Sequence, residues 1–137
     1  MTITENVNKQ MHSSRDVYDI FRSILASEQP QDRSKEHFWI AGLNIKNIIQ
    51  YIELVALGSM TSAVVHPREV FKIAIMKDTA NIICIHNHPS GDTAPSSDDI
   101  VISKRLQEAG KILGIALLDS IIIGDGNYRS LTEMGDI

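Results

Sequence analysis

Hydrophobic positions divide the chain into segments with helical and with strand periodicity. The first helical stripe begins at Ser13 or Ser14, and its apolar members are Val17, Ile20, Phe21, Ile24 and Leu25. The polar, proline-containing residues 29–32 end this helix. Residues 1–12 are polar and show no period, which predicts a flexible N-terminal tail.

Two apolar runs follow, at residues 37–43 and 48–57. The polar residues 44–47 separate them, and this arrangement predicts a β-hairpin. Gly58 and Ser59 break the second run, after which residues 63–65 are expected to be extended. Pro67 suits the first turn of a helix that continues to Lys77.

The second half of the chain alternates strands with a helix. The pattern predicts a strand at 82–88, a helix at 97–113 that stops at Gly114, a strand at 115–123 and a short strand at 128–131. Together with the hairpin, this order predicts one α/β domain over residues 13–137, with a mixed β-sheet flanked by helices.

Composition narrows the class of protein. The chain has 137 residues, 43% of them hydrophobic, which suits one globular domain. No apolar run approaches the ~20 residues that span a bilayer, and the N-terminus lacks a signal pattern, so we expect a cytoplasmic protein without a membrane partner. The net charge is −4, and the 13 basic residues are scattered. Because phosphate neutralisation dominates nucleic-acid affinity, nucleic acid is not the expected partner.

Residues 86–99 carry the strongest indication of function. His86 and His88 are one residue apart in the predicted strand, so both imidazoles lie on one face. Asp99 falls in the first turn of the next predicted helix. Its spacing to Ile102 and Leu106 places it on the same helix face as these apolar residues, and this face is expected to pack on the sheet. Two imidazoles and a carboxylate can occupy three corners of a tetrahedral zinc ion and leave the fourth for water. The segment therefore indicates metal-dependent hydrolysis.

Structural roles can explain parts of this segment taken alone. Ser96 can cap the helix at 97–113, and Asp99 at its third position suits the helix dipole without any metal. A cap does not require Asp99 to point inward, however, which favours the metal interpretation. Cys84, the single cysteine, shares the face of the histidines but lies within the apolar run, so we expect a core residue rather than a fourth ligand.

Together these residues resemble the JAMM (Jab1/MPN) metalloprotease signature, in which a distant Glu precedes His-x-His, seven residues and Ser-x-x-Asp. The terms here are His86, His88, Ser96 and Asp99. The motif His-Asn-His-Pro-Ser-Gly at residues 86–91, with residues 66–70 upstream and Leu118-Asp119 downstream, resembles the RadC-like branch in particular. The resemblance implies a JAB/MPN domain of cytidine-deaminase-like architecture, a Zn²⁺ cofactor, and hydrolysis of peptide or isopeptide bonds in a peptide or protein substrate.

The resemblance also implies two further catalytic roles. A glutamate would take the proton of water, and Ser96 would donate a hydrogen bond to the developing oxyanion, with helix capping as its alternative role. Glu36 immediately precedes the first long strand, as the distant glutamate of the family does, and we favour it as the base. Glu69, near the start of the helix from Pro67, is the alternative, although the helix dipole favours any acidic residue there.

One position departs from the RadC-like pattern. Ser120 follows Leu118-Asp119 where these proteins usually have a histidine. Loss of an outer-shell partner commonly weakens metal affinity or activity by about 10- to 100-fold. The departure leaves a second hypothesis, a non-catalytic binding module that keeps the metal site and acts through protein partners. A DNA-repair-associated role, a third hypothesis, is disfavoured by the acidic balance of charge.

Overall fold

A mixed sheet in the strand order β1-β3-β2-β4-β5-β6 forms the centre of the domain. The structure is a computed structural model that describes residues 2–3, 7–58 and 64–137. The strands are β1 (Thr2–Ile3), β2 (Glu36–Leu43), β3 (Ile49–Gly58), β4 (Asn81–Asn87), β5 (Ala116–Ile123) and β6 (Tyr128–Ser130). The helices are α1 (Ser14–Ala26), α2 (Pro30–Arg33), α3 (Pro67–Met76) and α4 (Ser97–Leu113). β4 and β5 pair in parallel and the other neighbours pair antiparallel, which confirms the predicted α/β fold with a mixed sheet.

Helices cover both faces of the sheet, and the alternation of side chains along the strands assigns each residue to one core. Trp39 of β2 and Ile85 of β4 belong to the core on the α1 face, where Phe21 packs beside Trp39. Phe38 and Cys84, their neighbours along the same strands, belong to the core shared with α3 and α4. Successive residues of a strand point to opposite faces, so the face of β4 that carries Cys84 also carries His86.

The segment before α1, predicted as a flexible tail, is attached to the sheet where the structure describes it. Thr2 and Ile3 pair with β3, and the Asn8 backbone N–H donates to the Ile49 carbonyl at 2.8 Å. Met11 is buried in the core on the α1 face. The edge of β3 offers backbone groups with which the preceding chain can pair, and the flexibility of residues 1–12 stays a prediction.

The connection into α3 also differs from the prediction of extended structure at residues 63–65. Residue 63 lies outside the described residues, while Val64 and Val65 form a turn and a bend. Val65 is buried, and His66 caps α3 through its Nδ1, which accepts from the Arg68 backbone N–H at 3.1 Å. The burial of Val65 and the His66 cap stabilise this turn ahead of α3. None of the helices in the described residues is long and apolar enough to cross a membrane.

Gly110 marks a close approach between α4 and the chain that enters β5. A Cβ at this position would lie 2.2 Å from the Ile115 carbonyl oxygen. We expect Gly110→Ala to lower the free energy of unfolding by about 1–3 kcal/mol through overpacking, although alanine by itself favours a helix. Urea or thermal unfolding measures this change. Glu108→Ala, at an exposed position of α4, serves as the control, and equal stability of the two variants would contradict the prediction.

Candidate metal centre

Three donor groups converge where β4 ends and α4 begins. His86 Nε2 lies 2.9 Å from Asp99 Oδ1, and His88 Nε2 lies 3.0 Å from Asp99 Oδ2. The two Nε2 atoms are 3.2 Å apart. Among the described residues these three side chains form a group that could hold a metal ion. The structure therefore brings together the three residues that strand alternation and helix spacing place on one face.

Asp99 has two structural relations at once, one to α4 and one to the histidines. Its backbone N–H donates to Ser96 Oγ at 3.1 Å, and the Ser96 backbone N–H donates to Asp99 Oδ2 at 2.8 Å, which completes a capping box. The side chain is nevertheless buried, with 5% of its surface exposed, and its carboxylate faces both imidazoles. Capping and metal binding are thus compatible here, because the capping box uses Oδ2 while Oδ1 faces His86.

The ring of His88 is oriented by the loop that follows β4. His88 Nδ1 lies 2.7 Å from the Asp92 carbonyl oxygen, which can only accept, so Nδ1 carries a hydrogen. This leaves Nε2 as the atom that would bind a metal through its lone pair, in the way that metal-ligating histidines are commonly oriented. The ring of His86 is buried and stacks on Phe38 with ring centroids 6.0 Å apart. Its Nδ1 has no hydrogen-bond partner among the described residues.

The electrostatics of the cluster favour a cation. The hydrogen bond to Asp99 raises the pKa of His88, burial opposes this rise, and the Asp92 carbonyl and the charges of Asp99 and Glu36 add to it. Burial by itself would raise the pKa of the Asp99 carboxyl, but the hydrogen bonds from His86 and His88 outweigh burial and hold that pKa well below its usual range. A buried carboxylate between two imidazoles is stabilised by positive charge, which a proton or a metal ion can supply.

Other potential ligands near the cluster have different roles. Cys84 is buried in the core on the α3 and α4 face, as predicted. Burial, with a smaller contribution from the charge of Asp119, raises the pKa of the Cys84 thiol well above its usual range, so the thiolate needed for metal binding is disfavoured. Asp98 is exposed in the first turn of α4, and Asp92 orients His88 through its backbone carbonyl.

The two candidate bases lie in different surroundings. Glu36 is the half-buried first residue of β2 and lies two residues before Phe38, which pairs with His86, so alternation places Glu36 on the same face of the sheet as Phe38 and His86. Its charge contributes, as the smallest of the causes, to raising the pKa of His88. Glu69 has 60% of its side chain exposed, and its ion-pair partner is Arg68 at 3.9 Å. Glu36 therefore lies on the face of the sheet that carries the cluster, whereas the Glu69 side chain faces solvent.

Ser96 is the N-cap of α4, as one of the two alternatives predicted. Its Oγ accepts from the Asp99 backbone N–H, and the residue is exposed beside the cluster. Accepting this bond uses a lone pair of the hydroxyl and leaves its hydrogen available to a further acceptor. The two roles considered for Ser96 are therefore not mutually exclusive.

The departure at Ser120 lies within the packing of α4 against β5. Ser103 Oγ donates to Ser120 Oγ at 2.9 Å, and both residues are buried. The neighbouring Asp119 accepts from the Ser120 backbone N–H, from the Ser130 hydroxyl and from the Thr132 backbone N–H. Asp119 therefore organises the end of the domain around β5 and β6, and Ser120 replaces none of the three candidate ligands.

The comparison with known families agrees with this geometry. The model of the RadC-like JAB domain family matches residues 11–136. The chain belongs to this family. Its relatives in the family include UPF0758 proteins of Caldanaerobacter subterraneus, 48% identical over 98% of the chain, and of Methanococcoides burtonii, 46% identical over 98% of the chain.

The match covers only part of each relative. The two proteins just named are matched over 56% of their length, and a UPF0758 protein of Listeria innocua, 54% identical over 74% of the chain, over 45% of its length. The chain thus spans about half the length of the curated relatives it matches. What is established for this chain is a RadC-like JAB domain with a His-His-Asp group that could hold a metal ion.

Proposed function

We propose that this RadC-like JAB domain is a zinc-dependent metallopeptidase that hydrolyses peptide or isopeptide bonds. One observation carries the proposal: the nitrogen and oxygen donors of His86, His88 and Asp99 converge, and Glu36 lies on the same face of the sheet, where its charge acts on His88. A structural site would be closed by four protein ligands, whereas a set of three with a neighbouring carboxylate is the pattern of a catalytic site.

The donor set supports zinc over the common hard cations. Two imidazoles and one carboxylate suit zinc, whereas Mg²⁺ and Ca²⁺ prefer oxygen ligands throughout. Tetrahedral ligands at about 2.0–2.1 Å from zinc are about 3.3 Å from one another. The donor separations of 2.9, 3.0 and 3.2 Å are close to this value, so small movements of the side chains would accommodate the ion.

Each residue of the site would have a distinct role. Bound zinc supplies Lewis acidity, which lowers the pKa of water toward about 7 and polarises a substrate carbonyl. His86, His88 and Asp99 would hold the ion, and Glu36 would take a proton from the attacking water and pass it to the leaving nitrogen. Ser96 would donate its free hydroxyl hydrogen to the developing oxyanion, a contribution whose loss costs roughly 10²- to 10³-fold in rate elsewhere.

The test combines metal analysis with a peptide library. Elemental analysis of the untagged protein should find one zinc per chain, and the zinc-loaded protein should cleave members of a broad peptide and isopeptide library. His86→Ala should lose both zinc and cleavage because it removes one of three ligands. The control is His12→Ala, since this histidine is exposed in the segment before α1. Zinc without cleavage would favour the binding module, and no retained zinc would refute the proposed site.

Weak binding of nucleic acid is a further expected result. The net charge of −4 and the scattered basic residues give little phosphate neutralisation. The dissociation constant for non-specific DNA should therefore be larger than the ~10⁻⁴–10⁻⁶ M typical of DNA-binding proteins, which means weaker binding. Fluorescence titration of duplex and single-stranded DNA at about 150 mM salt measures this. Micromolar binding with a steep salt dependence would instead support the DNA-associated hypothesis.

A further inference from the structure

Asn87 lies between the two histidines in the sequence, and its carboxamide bonds to backbone groups on both sides of Glu36. It is the last residue of β4 and has 2% of its surface exposed. Its Oδ1 accepts from the His37 backbone N–H at 2.6 Å, and its Nδ2 donates to the Lys35 carbonyl at 3.0 Å. These two backbone groups stand on either side of Glu36, so one carboxamide binds the chain both before and after that residue.

The sheet register explains why a side chain makes these bonds. The pairing of β2 with β4 ends where Phe38 lies opposite His86, and His37 would be the next residue opposite Asn87. β4 continues instead along β5, where the His88 backbone N–H donates to the Ile123 carbonyl at 2.8 Å. At this point the carboxamide of Asn87 continues the connection between β4 and β2 beyond the last backbone pair.

The two bonds restrict the backbone of Glu36 in particular. The Lys35 carbonyl belongs to the peptide plane before Glu36, and the His37 N–H belongs to the peptide plane after it. Holding both planes fixes the φ and ψ angles of Glu36, and with them the direction of its Cα–Cβ bond. The Lys35 carbonyl is also within 2.8 Å of His37 Nδ1, which holds the same plane from a second direction.

The strand that carries Asn87 is the strand that carries His86. The two hydrogen bonds of Asn87 therefore fix the position of the Glu36 backbone relative to the strand that bears a candidate ligand. On its other side Glu36 pairs with Gly58, the last residue of β3, which offers no side chain for a comparable contact.

We propose that Asn87 is a positioning residue, which holds both peptide planes of Glu36 and so fixes the direction of the Glu36 side chain relative to the His86–His88–Asp99 cluster. The proposal rests on the proposed function in so far as Glu36 acts as the base. Its structural part, the direction of the Glu36 side chain, can be tested without any activity.

Asn87→Ala removes both bonds, and Asn44→Ala is a matched control. Asn44 also binds backbone groups with its carboxamide, since its Oδ1 accepts from the Lys46 and Ile48 N–H groups at 2.9 and 3.0 Å, but it lies in the β2–β3 turn at the other end of β2. We expect the His37 amide to lose protection from hydrogen exchange in Asn87→Ala and to keep it in Asn44→Ala. Crystal structures should show the Glu36 carboxylate displaced from the cluster only in Asn87→Ala.

Steady-state kinetics distinguish a role of Asn87 in positioning Glu36 from a role in the stability of the fold alone. With zinc content unchanged, Asn87→Ala should lower kcat about 10- to 100-fold because small misplacements of a reacting group have effects of this size, while KM stays within about twofold. Asn44→Ala should retain the wild-type kcat. If Asn87→Ala does not fold, the isosteric Asn87→Asp takes its place, since it keeps the acceptor for His37 but loses the donor to Lys35.

The outcomes distinguish this proposal from the proposed function. An unmoved Glu36 carboxylate, a protected His37 amide in Asn87→Ala, or equal kcat values in Asn87→Ala and Asn44→Ala would overturn the role of Asn87. A wild-type protein that binds zinc and cleaves nothing would refute the peptidase proposal. A displaced Glu36 carboxylate in Asn87→Ala would in that case still support Asn87 as the residue that directs it.

Discussion

Glu36→Gln is expected to abolish amide hydrolysis while the zinc content stays at one per chain. The glutamine keeps the size of the side chain but cannot accept a proton from water, and general-base contributions are typically worth 10²- to 10⁴-fold in rate. His86, His88 and Asp99 remain in place, so metal binding should persist. Single-turnover cleavage assays and elemental analysis of the same preparation measure both quantities.

Glu69→Gln is the matched control for this substitution. Glu69 also bears a carboxylate at the start of a secondary-structure element, but its side chain is mostly exposed and pairs with Arg68. We expect it to retain wild-type cleavage. Loss of activity in Glu69→Gln with retention in Glu36→Gln would reverse the assignment of the base, and loss of zinc in Glu36→Gln would show that Glu36 is a ligand.

Asp99→Asn is expected to weaken zinc binding by more than about 100-fold, beyond the range typical of outer-shell changes. The neutral amide removes the negative charge that two imidazoles face, and it is a poor metal ligand. Its oxygen can still accept from the Ser96 backbone N–H, so the capping box at the start of α4 is largely preserved. Isothermal titration with zinc measures the affinity, and circular dichroism checks that the variant is folded.

Asp98→Asn removes the same charge one residue earlier on α4. Asp98 is exposed, so this control accounts for the effect of charge on the helix dipole without altering the cluster. We expect it to bind zinc as the wild type does. Equal zinc affinity in the two variants would show that Asp99 is not a ligand and that the capping box is its main role.

The elements of the domain follow closely from local pattern. The stripe from Val17 to Leu25 forms α1, and the helix predicted at 97–113 is α4, which is followed by the C-cap Gly114 with φ of 74°. These agreements arise because helix and strand periods and terminal signals are properties of neighbouring residues. The prediction was wrong at Val64 and Val65, which form a turn and a bend instead of extended chain, and local pattern did not reveal that the segment before α1 pairs with β3.

The candidate ligands were within reach of sequence reasoning for the same reason. His86 lies in β4 and His88 comes directly after its last residue, one residue beyond the end of the strand, and Asp99 follows after one loop, so alternation and helix spacing suffice to bring them together. The Asp92 carbonyl that orients His88 was missed, because a backbone acceptor in a loop leaves no signal in residue type. Ser96 was recognised as a cap, but its free hydroxyl hydrogen became evident only from the geometry of the bond it accepts.

Asn87 illustrates which features follow from the sequence and which depend on the tertiary structure. The sequence by itself establishes the α/β elements, the shared face of the two histidines and the inward direction of Asp99, since each depends on spacing along the chain. By alternation Asn87 points away from the histidines, which describes its face but not its partners. Its bonds reach Lys35 and His37, about 50 residues earlier, and depend on the register in which β2 and β4 pair. Only the tertiary structure decides that register, because strand pairing is set by the packing of distant segments against common cores.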